Sequence, residues 1–309
     1  MRIRLFPLLA CVAVLLAAGC GGGERTGTTG GGSERLQVVA TTTPVQDFVR
    51  VIGGDKVALT GILKPGVDAH EFEPSPADLD AIARADVVVA NGVGLEKWLD
   101  DTIKSAGFSG PVVDASKGVP LRQGVGAEAG EPDPHIWHNP RNAKVMVGNI
   151  AEALAAADPA DAATYRANLA AYDSQLDALD AEIAGRIDGL ANRKLVTNHD
   201  AFGYYADRYG LEVVGSVIPS FDTAAELSGA DLRELVAKVK AAKVKAIFSE
   251  VELPPKTAET VGEEAGVKVI AGEEALYGDG LGPAGSDGAT YLGMMKHNTD
   301  TIVSALSGA

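Results

Sequence analysis

Cysteine is scarce. Cys11 and Cys20 are the only two, and both fall within the first twenty residues. A chain trimmed near that point keeps at most one thiol, which excludes an internal disulfide framework and a cysteine-built metal site downstream. Positive charge is short as well: 27 lysines and arginines stand against 42 acidic residues, for a net charge of −15. The basic footprint that nucleic-acid binding needs is therefore missing. An acidic surface of this kind suits a soluble protein and draws cations weakly towards it. Long apolar runs are also lacking, since Leu5–Ala18 falls below the roughly 20 residues of a membrane span. Neither an H-E-x-x-H segment nor a fine-grained internal repeat occurs.

What is present begins with Arg2 and Arg4, followed by that apolar run and then by LLAAGC. A positive start, a short apolar stretch and small residues form a secretory signal peptide. The residues before Cys20 resemble the lipobox of bacterial lipoproteins, with Ala17 where leucine is more usual. Residues 1–19 are thus expected to be removed and Cys20 to carry the lipid, with an ordinary signal peptide cut elsewhere as the alternative. The glycine-rich residues 20–35 have too little apolar content to fold and read as a flexible tether. Such a leash holds a globular body at a membrane surface without making it part of the membrane.

From Leu36 onward, short β-branched runs alternate with helical stretches. LQVVA (36–40), VALTGIL (57–63), DVVVANG (86–92) and PVVDAS (111–116) read as strands, and SPADLDAIARA (75–85) as a helix capped by Ser75 with Pro76 at its first position. A helical middle follows. Asn139-Pro140 opens one helix running to about Ala157, and Asp158-Pro159 opens another. In the latter, Tyr165, Leu169, Tyr172, Leu176, Leu179, Ile183 and Ile187 hold one stripe by steps of three and four. KLVTN (194–198), EVVGSVI (212–218), KAIFSEV (245–251) and VKVIA (267–271) resume the strands, and residues 290–306 form a closing helix. The fold class is therefore α/β. Two lobes of parallel βαβ units, 36–157 and 190–309, are joined by one long helix over 158–189.

In open parallel sheets, ligands gather beyond the carboxyl ends of the strands. His70 follows the second strand, His199 directly follows KLVTN, Glu250 ends AIFSE, and Asp279 lies in LYGDG beyond the last strand. His135 sits in DPHIWHNP, before the helical middle. Taken singly, a loop histidine or carboxylate is more often a cap or a packed side chain than a ligand. Together, histidines at loop positions in both lobes raise a metal centre as the common explanation.

Five motifs in order, KPGVDAHEFEPSPADLDAI, DPHIWHNP, TNHDAFGYYADRYGL, IFSEVELPPKTAETVGEEAGVKV and DGATYLGMMKHNTDTI, resemble the zinc- and manganese-specific substrate-binding lipoproteins of bacterial ABC transporters. The resemblance covers the whole chain. It implies two lobes bridged by a long helix with a metal in the cleft, and the ligand set His70, His135, His199 and Asp279. His138 occupies a position that is commonly not coordinating and takes a supporting role at the rim. Asp133 or Asn139 is expected to orient the His135 ring, and Glu250 to back the site. The partner implied is an ABC permease with its ATPase. The chain itself is expected to be a monomer, extracytoplasmic, and held at the cell membrane through Cys20.

Three imidazoles and one carboxylate fit Zn²⁺, whereas Mn²⁺ favours more oxygen and a larger coordination number. The stretch LRQGVGAEAGEPD (121–133) contains no histidine, unlike the long histidine-rich loop that zinc specialists of the family often carry, so manganese stays as the alternative. Two other functions compete: a surface adhesin built on the same fold, and a zinc hydrolase. A catalytic zinc keeps an open position for water, while here a fourth protein ligand is expected, so the chain reads as a carrier and not an enzyme. Metal tied to both lobes would give a loaded shape for the permease to recognise.

Overall fold

The computed structural model describes residues 35–125, 128–225 and 228–307. The signal peptide, Cys20 and the tether up to Glu34 lie outside the described residues. Strands β1 (Leu36–Ala40), β2 (Val57–Gly61), β3 (Val87–Ala90) and β4 (Val112–Asp114) form one parallel sheet, ordered β2-β1-β3-β4. Strands β5 (Lys194–His199), β6 (Glu212–Ile218), β7 (Ala246–Phe248) and β8 (Lys268–Ile270) form a second, ordered β6-β5-β7-β8. The two sheets share one topology: the chain moves from its first strand to one edge, then crosses back to build the other. Side-chain groups collect where that order reverses, between β1 and β3 and between β5 and β7. Val87, Val88 and Val89 are all fully buried, as parallel strands covered on both faces require.

Helices α1 (Thr43–Gly53), α2 (Pro76–Ala83) and α3 (Leu99–Ala106) serve the first sheet, and α6 (Gly203–Tyr209), α7 (Gly229–Ala242) and α8 (Lys256–Ala265) the second. Between them lie α4 (Pro140–Ala157) and α5 (Ala162–Asp188), and α9 (Tyr291–Ser307) ends the described chain. Local chemistry sets several starts. Ser75 with Asp78, and Ser228 with Asp231, each form a reciprocal capping box. Asn139 accepts from the Arg141 backbone at 3.0 Å and begins α4, with Pro140 in the first turn. It is thus a helix cap and not a partner of the His135 ring.

The long helix begins later than Asp158-Pro159. Asp158 closes α4, and its carboxylate accepts from the Tyr165 hydroxyl at 2.8 Å, which uses residues 158–161 as a turn. The 27 residues of α5 extend for about 40 Å. Its stripe of Tyr165, Tyr172, Leu176, Leu179, Ile183 and Ile187 is buried. One large apolar core takes in that stripe, the first sheet, α1, α4 and α9, and it reaches Ala246 and Phe248 in β7. A separate small core, with Val196, Val217, Leu235, Val239, Ile247 and Val261, fills the far side of the second sheet under α7 and α8.

Asp180 on α5 ties this middle to its flanks. Its carboxylate accepts from Arg208 at 2.8 and 2.5 Å, from the Tyr209 hydroxyl at 3.1 Å, and from Arg141 at 3.3 Å. Burial pushes the carboxyl up, but the Arg208 guanidinium, with Arg141 and Tyr209, more than reverses this and holds it below the usual carboxylate value. A depressed carboxylate stabilises the fold above its unfolded value, near 4, and that stability is lost as pH falls through the folded value. Asp180→Ala is expected to cost about 2 kcal/mol at neutral pH and progressively less in acid. Urea melts of both proteins at pH 7 and pH 3.5 check this.

Candidate metal centre

Four segments converge. His70 lies on the loop from β2 to α2, where its backbone N–H donates to Asp68 Oδ1 at 2.8 Å. His135 precedes a single 3-10 turn, Ile136–His138, that leads into α4. His199 is the last residue of β5, and Asp279 sits on the loop from β8 to α9. Each offers one donor atom, and these atoms all lie within 4.8 Å of one another.

The pairwise distances are short. His135 Nε2 is 3.3 Å from His70 Nε2 and 3.2 Å from His199 Nε2. Asp279 Oδ1 is 3.3 Å from both His135 Nε2 and His199 Nε2, and Oδ2 is 3.6 Å from His70 Nε2. All four side chains are at most 2% exposed. Neither Asp279 oxygen has a well-directed hydrogen-bond donor, an arrangement that is costly for a buried carboxylate.

The outward-facing nitrogens are backed by acids. His135 Nδ1 donates to Asp133 Oδ1 at 2.8 Å, and Asp133 Oδ2 is 3.2 Å from Arg122 Nη1. His199 Nδ1 lies 2.6 Å from Glu250 Oε2, while the His199 backbone N–H donates to Glu250 Oε1 at 2.9 Å. Glu250 follows β7, so this pair spans the place where the strand order of the second sheet reverses. Of the two residues considered for orienting His135, the structure puts Asp133 there. Backing acids of this kind fix ring orientation and keep Nε2 free to bind.

These acids also set the charge. Burial pushes His135 down, but the hydrogen bond to Asp133 and the nearby carboxylates of Asp133 and Asp279 overcome it and raise it to about 9. His199 is likewise pushed down by burial and lifted well above its ordinary value by Glu250 and Asp279. For Asp279, burial acts upward, and the charge of His199 with the three neighbouring imidazoles holds it well below the carboxylate range.

His138 is not among the converging donors. Its Nε2 donates to the Gly278 carbonyl at 2.8 Å, and its ring stacks on Phe202 with centroids 4.5 Å apart. Burial and the charge of His135 lower it to about 3, so it stays neutral. Trp137 Nε1 donates to the same carbonyl at 3.3 Å, and the Tyr291 hydroxyl donates to the Trp137 carbonyl at 2.7 Å. The DPHIWHNP segment therefore supplies one histidine to the cluster and uses Trp137 and His138 to hold Gly278, the neighbour of Asp279. A side chain at Gly278 would place its Cβ 2.1 Å from Glu250 Oε2, so any larger residue there would displace the acid that backs His199. His297 donates to the Ala275 carbonyl at 2.9 Å and stays outside the cluster.

Comparison with known proteins adds a family. The family model described as zinc-uptake complex component A, periplasmic (ZnuA), matches residues 38–305. The chain belongs to this family. Zinc-binding protein TroA of Treponema pallidum (strain Nichols) is 36% identical over 276 residues, covering 87% of this chain and 88% of the relative. Manganese-binding lipoprotein MntA of Halalkalibacterium halodurans is 34% identical over 314 residues, at 99% and 100% coverage. Iron ABC transporter substrate-binding lipoprotein MtsA of Streptococcus pyogenes serotype M1 is 33% identical over 307 residues, at 96% of each chain. The solved structure of periplasmic zinc-binding protein TroA from Treponema pallidum superposes with a TM-score of 0.81 at 34% identity, covering 89% of this chain and 100% of that one. This member of the ZnuA family is accordingly a metal-binding, extracytoplasmic component of an ABC uptake system. It is a transport component and not an enzyme, so the hydrolase alternative falls. Among the described residues no helix is long and apolar enough to cross a membrane.

Some supporting residues escape a sequence reading. Trp137 and Tyr291 act through bonds that join positions 154 residues apart. Buried Glu96 accepts from Thr41 Oγ1 at 2.6 Å and from the Asn91 backbone at 2.7 Å, and the Asn91 amide donates to the Pro134 carbonyl at 3.1 Å. That chain braces the residue before His135 from the carboxyl ends of β1 and β3. Its only sequence signal is the place of Thr41 and Asn91 directly after two strands.

Proposed function

We propose that this chain captures Zn²⁺ through His70, His135, His199 and Asp279 and delivers it to an ABC permease with its ATPase. The observation that carries the reading is the buried Asp279 carboxylate, whose two oxygens lack donors of their own yet face three imidazole nitrogens at 3.3–3.6 Å. A cation at the centre satisfies them. Four N/O ligands about 2.0–2.1 Å from zinc stand about 3.3 Å apart in a tetrahedron, which matches the separations of 3.2–3.3 Å among most of these atoms. The dication, with Arg122, also balances the charges of Asp133, Glu250 and Asp279. Manganese is the second reading, favoured by Asp279 Oδ2, which can serve as a fifth donor near His70.

Function follows from where the ligands originate. In the division into lobes 36–157 and 190–309 with a link over 158–189, the ion draws His70 and His135 from one side and His199 and Asp279 from the other. Cys20 anchors the carrier through its lipid, and residues 20–35 give the single folded body its reach. TroA is named for zinc and MntA for manganese, so the decisive measurement is direct competition. Protein stripped of metal and dialysed against equal zinc and manganese should bind one zinc ion per chain by elemental analysis. Retention of manganese under those conditions would reverse the assignment, and absence of both metals would remove the capture function itself.

A further inference from the structure

One short stretch touches the surroundings of all three histidines. The residues after β6, Ser220–Thr223, cross from the second half of the chain to the first. The Ser220 carbonyl accepts from the Asp200 backbone, next to His199, at 3.1 Å. Phe221 is 5% exposed, and its ring centroid lies 6.2 Å from that of His135. Thr223 Oγ1 donates to Asp68 Oδ2 at 2.6 Å, and the other oxygen of that carboxylate holds the His70 backbone. Two more bonds fasten the stretch: the Ser220 hydroxyl donates to Glu128 Oε1 at 2.5 Å, and Asp222 pairs with Lys97. Gly124 leaves room for this packing, since a Cβ there would come within 2.8 Å of the Phe221 ring.

Beside the stretch lies a cavity of about 570 Å³, lined by His70, Val93, Lys97, Glu131, Pro134 and Phe221. It leads from solvent to the one candidate ligand that lines it. We propose that Ser220–Thr223 is a strap across the entrance of the metal centre and that its opening sets the rate of ion exchange. The proposal rests on the capture reading above. The fastenings are graded for this task. Lys97 and Asp222 side chains are 63% and 31% exposed, so their pair holds weakly. The Thr223–Asp68 bond goes to a charged acceptor with Thr223 9% exposed, so it holds more firmly. No strap residue supplies a donor to the ligand cluster, which separates control of rate from control of affinity.

The test uses the zinc-loaded chain in stopped flow, with excess chelator for release and a fluorescent zinc indicator for uptake. Loss of one hydrogen bond to a charged group should make release from Thr223→Ala about tenfold faster, with uptake faster in step and equilibrium affinity nearly unmoved. Thr223→Ser keeps the hydroxyl and should release at the wild-type rate. Adding Lys97→Ala to Thr223→Ala should speed both directions further. Unchanged release in the double variant, or faster release matched by an equal loss of affinity, would overturn the strap while leaving capture intact. A wild-type chain that takes up no zinc would overturn both.

Discussion

His199→Ala should weaken zinc binding roughly a hundredfold or more. Structural zinc sites bind with about 10–16 kcal/mol spread over four ligands, so losing one costs about 3 kcal/mol, or two decades in affinity. His199 is a sensitive choice because it occupies the end of a strand and not a mobile loop: its backbone N–H is held by Glu250, and Nδ1 lies 2.6 Å from the same carboxylate. Removal also leaves the 2% exposed Glu250 with one contact fewer, so the variant should melt somewhat lower even without metal. Titration calorimetry with a competing chelator measures the affinity, and circular dichroism confirms the fold. An affinity within a few-fold of wild type would eliminate His199 as a ligand.

Zinc should also raise the melting temperature of the wild-type chain by about 8–16 °C. Free ligand at about a thousand times its dissociation constant adds about 4 kcal/mol to the folded state, and each kcal/mol moves the midpoint of a chain of this size by about 2–4 °C. The gain should depend on pH with a definite sign. His135, raised to about 9, holds a proton at neutral pH in the metal-free protein, and that proton must leave before Nε2 can bind a metal. A raised histidine stabilises the metal-free fold at low pH and stops doing so as pH rises through 9. Protons therefore compete with zinc more strongly in acid, and the shift should shrink from pH 8 to pH 5.5. Differential scanning fluorimetry with and without a chelator reads both effects. A midpoint indifferent to zinc at pH 8 would contradict the proposed site.

The fold was largely legible because parallel sheets write themselves as apolar runs between capped helices. Val87–Ala90 and Lys194–His199 fall close to the expected strands, and Ser75 and Asn139 cap the helices they were expected to cap. The start of the long helix was misjudged because Asp-Pro normally opens a helix. Here the Asp158 carboxylate bonds to Tyr165 instead, and the first turn of α5 waits until Ala162. Convergence of His70, His135, His199 and Asp279 came from resemblance; no local pattern brings residues 209 positions apart to within 4.8 Å. The role of His138 was harder still. Spacing alone makes His135 and His138 look equivalent, and only the stacking on Phe202 and the bond to the Gly278 carbonyl separate them. The strap residues carried no signal, since Ser220 and Thr223 are ordinary turn residues until Glu128 and Asp68 are brought to them.

The principal apolar core does not stop at the boundary between the sheets; it runs from Val38 through α5 to Phe248. A molecule whose halves share an interior cannot gape like a clamshell without wetting that interior, at about 25 cal/mol for each Å² exposed. Empty and full carriers should then differ in relief over a few side chains and scarcely in outline. A receptor that sorts one from the other has to feel texture, and it must do the prying itself when the cargo is to be let go.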